Sequence, residues 1–80
     1  MSVLFLLFFL QQPDHQAEGI KALEAKQYPA AIASFEKAVA ADAQDYGAWF
    51  HLGLAQSMAG QAADAAKSYR KTLDLKPGLY

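Results

Sequence analysis

At 80 residues the chain has room for one small domain and no second, and a domain of this size buries only a modest share of its surface. Seven Lys and Arg against eight Asp and Glu leave a net charge of −1, which excludes the one-signed electrostatic footprint that a nucleic-acid backbone demands. The chain has no cysteine, which removes disulfide staples, thiolate chemistry and sulfur-rich zinc sites from consideration.

The first element in chain order is an unbroken apolar run from Val3 to Leu10. As a helix it would rise about 12 Å, against the roughly 30 Å of a hydrocarbon core, so it cannot span a bilayer. Its place and composition suit the hydrophobic region of a secretory signal, which would make the protein exported, periplasmic or secreted. No positive charge precedes the run, and no small-x-small cleavage pattern follows it. Two alternatives stay open: an extra helical turn packed on the fold that follows, with a cytoplasmic location, or a lipid-surface anchor, for which residues 1–10 lack a charged opposite face. Residues 1–11 are therefore set apart from the rest, and a membrane enters the reading only through them.

From Asp14 onward the pattern is helical. Asp14 is placed to cap a helix reaching about Lys26, with Pro13 just outside it. A second helix opens after Tyr28 with Pro29 in its first turn, where the missing N–H does no harm, and carries Ile32, Phe35, Ala38 and Val39 along one stripe. Asp45 is the cap of a third helix bearing Trp49, Leu52, Ala55 and Gln56, which Gly60 stops in the left-handed conformation. The fourth runs from about Ala62 to Leu75, turns Ala65, Tyr69, Thr72 and Leu73 toward its partner, and ends before Pro77 and Gly78.

The two helical pairs are copies. Laying residues 12–45 over 46–79 puts Gly19 on Gly53, Ala25 on Ala59, Gln27 on Gln61, Ala31 on Ala65, Ser34 on Ser68 and Lys37 on Lys71, with Phe35 on Tyr69 and Val39 on Leu73. The matches fall on small and aromatic residues at helix-packing spacings, where stacked repeats are constrained. Gly53 and Ala65 mark close backbone approaches, and Trp49, Tyr28, Phe35 and Tyr69 are expected to fill the core, at roughly 1.5–3 kcal/mol apiece.

Trp49-x-x-Leu52-Gly53, followed by Gly60, Ala65, Tyr69 and Pro77, resembles the tetratricopeptide repeat pattern. The resemblance covers residues 12–79 and is stronger in the second copy, which departs chiefly at Gln56 and Thr72. The first copy keeps Gly19, Tyr28, Ala31, Phe35 and Ala38, but has His15, Glu18 and Ala43 where the second has Trp49, Leu52 and Pro77. It implies an all-α fold: two tandem helix-turn-helix units, 12–45 and 46–79, forming a short α–α superhelix behind the apolar N-terminal segment.

Residues for catalysis are not assembled. His15 and His51 have neither an i, i+4 histidine partner nor an acidic cluster of metal-site type. Ser2, Ser34, Ser57, Ser68 and Thr72 lack a glycine-flanked turn or a local base and read as helix-surface hydroxyls. Glu18, Glu24 and Glu36 lie among lysines on solvated faces, and there is no glycine-rich phosphate loop. The expectation is a non-enzyme with no cofactor and no metal.

What the resemblance implies instead is a protein-interaction module, an adaptor or scaffold holding a partner protein or peptide along the first helix of each pair. Carried over, it points to Gln16, Ile20, Leu23 and Glu24 in the first copy and to Gly47, Phe50, His51, Leu54 and Met58 in the second. Gln16, Ile20 and His51 stand where some family members place Lys and Asn for a C-terminal carboxylate, so a carboxylate clamp is not expected. Phe50, Leu54 and Met58 follow i, i+4, i+8 and form one apolar stripe suited to an amphipathic helix. The alternative is a structural element that associates with copies of itself, or the first part of a longer array, with no separate client.

Overall fold

Two aspartates start helices as the sequence requires. In a computed structural model that describes residues 14–78, the Ala17 N–H donates to Asp14 Oδ1 at 3.1 Å, and the Ala48 N–H donates to Asp45 Oδ1 at 3.2 Å. Each bond satisfies one of the free amides of a first turn. The helices they open are α1, His15–Glu24, and α3, Tyr46–Met58. Their partners are α2, Tyr28–Ala41, with Pro29 in its first turn, and α4, Ala62–Leu75. The Val3–Leu10 run, and with it the export, packed-turn and anchor readings, lies outside the described residues.

The turns inside the two pairs are the same structure. After α1 the Lys26 N–H donates to the Leu23 carbonyl and the Gln27 N–H to that of Ala22; after α3, Gly60 donates to Ser57 and Gln61 to Gln56. Both are Schellman stops, which need a left-handed residue just past the helix. Gly60 supplies it at φ 81°, whereas the first copy forces Lys26 to φ 59°. That strained residue ends α1 at Glu24, two residues short of the expected limit at Lys26.

Each helix packs on its neighbours in sequence. Beyond that, α1 and α3 touch, while α2 and α4 do not, so the array bends toward the side formed by α1 and α3. The core is built from Ala31, Ile32, Phe35, Ala38 and Val39 of α2 with Ala48, Leu52 and Ala55 of α3.

The aromatics do not share that core equally. Phe35 is fully enclosed because α2 has a helix on either side. Tyr69, its counterpart on α4, packs against α3 among the described residues and is half-buried, as is Tyr28 at the first position of α2. Trp49 is also half-buried: its indole N–H needs an acceptor and finds the Ala43 carbonyl at 2.9 Å, which holds the ring at the rim. Leu73, expected to face its partner helix, is 38% exposed, again because nothing among the described residues covers the far side of α4.

Ser68, read as a surface hydroxyl, is interior, and Thr72 is buried on the side where the helical stripe turns it toward the partner helix. Ser68 donates to Gln56 Oε1 at 2.6 Å, and Thr72 donates to the Ser68 carbonyl at 3.0 Å, with all three residues buried between α3 and α4. Burial of a hydroxyl is tolerable only when it is paired, and here each one is.

Candidate protein-interaction face

The bend places α1 and α3 side by side, which brings the two halves of the sequence-derived set onto one side of the array. A hydrogen bond joins them at the N-terminal end: Gln16 Nε2 donates to Asp45 Oδ2 at 2.8 Å, while the other oxygen of Asp45 caps α3. Gln16 therefore helps set the angle between the repeats. Ile20, one turn along α1, is 39% exposed; Leu23 is half-buried against the core; Glu24 is exposed.

On α3 the stripe grades from half-buried to open. Gly47, Phe50, His51 and Leu54 are half-buried, and Met58 at the C-terminal end is 50% exposed. Phe50 is fixed by an edge contact with His51, ring centroids 6.0 Å apart, and by a tilted contact with Tyr69 at 5.8 Å. The imidazole of His51 stacks on Phe35 at 5.4 Å and 16°, which ties α3 to the core of the first repeat. Its Nδ1 is buried and has no hydrogen-bond partner among the described residues. The stripe is thus a rigid aromatic base at Phe50 and His51 leading to flexible apolar groups at Leu54 and Met58.

Electrostatically the α3 half of this side is quiet, the charges of the face lying on α1. From Tyr46 to Met58 there is no Asp, Glu, Lys or Arg, so no desolvated charge opposes the approach of an apolar ligand along α3. Among the described residues no group of three His, Asp or Glu is arranged to hold a metal ion, and no helix is long and apolar enough to cross a membrane.

The structure also shows features that the sequence reading did not pick out. Tyr46, at the start of α3, is 41% exposed, with the Lys76 ammonium 5.6 Å from its ring centroid. At this same end, around the start of α3, Asp14, His15, Gln16, Ala38, Ala41, Asp42 and Asp45 line a shallow cleft. Of its carboxylates, Asp14 and Asp45 cap helices, and Asp42 Oδ1 accepts from the Gln44 N–H, so all three are engaged in holding the turns.

No solved structure matches the chain. The family model for the tetratricopeptide repeat matches residues 8–80, which takes in all four helices. Two helical hairpins, each turned by an equivalent Schellman stop, with a small residue facing an aromatic at the same place in each, are the physical content of that match. The chain belongs to the tetratricopeptide repeat family, whose members generally serve protein–protein interaction rather than catalysis.

Proposed function

We propose that the α1–α3 side holds an amphipathic helix of a partner protein, making the chain an adaptor or scaffold. The observation that carries the reading is the uncharged stripe Phe50, Leu54 and Met58, which opens toward solvent on the side to which the array bends. A ligand helix with apolar residues at i, i+4 and i+7 would lay them on Leu54 and Met58, with Ile20 at the opposite wall. Exposed apolar residues set beside a rigid aromatic base are the pattern of an interface anchor. Gln16, Leu23, Glu24 and His51 complete the face, with Gln16 and His51 holding its shape. We further read the Val3–Leu10 run as an export signal, so that this face works outside the cytoplasm.

An array of amphipathic helical peptides, probed with the native chain and with Leu54→Glu, tests the binding reading. Leu54→Glu is expected to abolish capture with little change in melting temperature, because Leu54 is only half-buried. Trp49→Ala should cost about 2–3 kcal/mol, less than the removal of a fully enclosed Trp, since its ring lies at the rim. A Leu54→Glu chain that melts as badly as Trp49→Ala would place the stripe inside the fold and end the proposal.

A second reading, self-association, is favoured by one observation: the outer side of α4, with Leu73 on it, is uncovered among the described residues.

A further inference from the structure

The joint between the repeats provides a template for that uncovered side. On α2, Ile32, Phe35 and Val39 are buried; the same register on α4 gives Ala66 exposed, Tyr69 half-buried and Leu73 exposed. Around this partly apolar strip stand Lys67 and Arg70, both exposed. The opposite end of the array has the opposite charge. Residues 14–45 carry six carboxylates and three lysines, net −3, whereas residues 46–78 carry two carboxylates and four Lys and Arg, net +2, which together give the chain's −1.

We propose that the outer face of α4 takes the acidic first repeat of a second copy of this chain, in a head-to-tail contact. The template also tells how strong this contact is. Where α3 offers the buried Ala48, Leu52 and Ala55, α1 has Asp14, Glu18 and Lys21 at the equivalent positions, all exposed. Burying those charges as deeply as their α3 counterparts would be prohibitive, so the contact between copies is shallow, wet and electrostatic. In this register Glu18 faces the Ala66–Leu73 strip, where Ala66 leaves the space that Ile32 fills in the internal joint, and Lys67 and Arg70 flank it. A head-to-tail contact leaves one unused face of each kind on a two-copy assembly, so association continues past the dimer as concentration rises.

This inference deepens the self-association reading and rests on it, while leaving the peptide-binding stripe untouched. Sedimentation of the full chain over a concentration series, at roughly 20 mM and roughly 500 mM salt, tests it. The expected result is association at low salt that weakens at least about tenfold at high salt and does not stop at two copies. Glu18→Lys alone and the pair Lys67→Glu with Arg70→Glu should each yield monomers with native helicity, and mixing the two variants should restore association. A chain that stays monomeric at low salt overturns the proposal. So does association that persists at high salt: a stop at two copies assigns the face to an α4–α4 pair, and loss only on deleting residues 1–10 assigns it to the apolar segment. Peptide capture that survives in the charge variants separates failure here from failure of the binding reading.

Discussion

The ring of Phe35 lies so close to the α-carbon of Gly19 that a β-carbon there would stand 2.5 Å from its Cε1. In the second repeat Gly53 faces Tyr69 in the same way, with 2.7 Å to Cδ1. These glycines sit in the middle of helices, where glycine is unfavourable by roughly 1 kcal/mol against alanine, so the space they leave has to outweigh that loss.

The two sites should respond differently to the same change. Gly19→Ala overpacks against a ring that is fully enclosed and cannot swing away, and is expected to destabilise by about 1–2 kcal/mol even after the helix gain of alanine. At Gly53→Ala the opposing Tyr69 ring is half-buried rather than enclosed, so the loss should be smaller than that of Gly19→Ala. Thermal melts followed by circular dichroism rank the pair; equal losses would mean that Tyr69 is held as firmly as Phe35.

A second comparison concerns the turns. Lys26 holds the left-handed conformation at φ 59° that Gly60 holds at φ 81° in the other repeat. Lys26→Gly is therefore expected to raise stability by about 0.5–1 kcal/mol, and Gly60→Ala to lower it by about 1 kcal/mol, with no change in helix content. Denaturant midpoints measure both. A Lys26→Gly chain that is less stable would show that the lysine side chain contributes more than its backbone strain costs.

Between α3 and α4 the paired hydroxyls make a third prediction. Ser68→Ala leaves Gln56 Oε1 buried without its donor and should cost about 1–3 kcal/mol, while Ser68→Ala with Gln56→Leu should recover much of that loss. If the double variant is no better than the single one, the bond between the two side chains is not what stabilises this contact.

How far the sequence carried these features depends on how local their causes are. The caps at Asp14 and Asp45, the first-turn Pro29 and the stop at Gly60 act within a few residues, and the structure has them where the sequence puts them. The stripe on α3 was legible from its spacing, and its lack of charge can be read directly. The depth of Trp49 was not, because the acceptor that keeps it at the rim is a carbonyl in the preceding turn. Nor was the burial of Ser68: a hydroxyl in a helix is surface or interior depending on which side chain crosses from the neighbouring helix. Lys26 carries no signal of its own for a left-handed turn; only its 34-residue register with Gly60 identifies it. The Gln16–Asp45 bond spans 29 residues and follows only from the stacking of the repeats.

Because α2 and α4 never meet, packing among the described residues runs mainly between elements adjacent in the chain, with a small α1–α3 contact besides. No long loop has to close before native contacts begin to form, so ordering can start in either hairpin and spread to the other, a topology associated with folding in microseconds to milliseconds. The α3–α4 hairpin has the more extensive packing and the internal polar bonds, so it is the natural place for ordering to begin. The α1–α2 hairpin then adds onto an existing surface. Its first helix, which among the described residues meets α3 at little beyond the Gln16–Asp45 bond, is expected to open first.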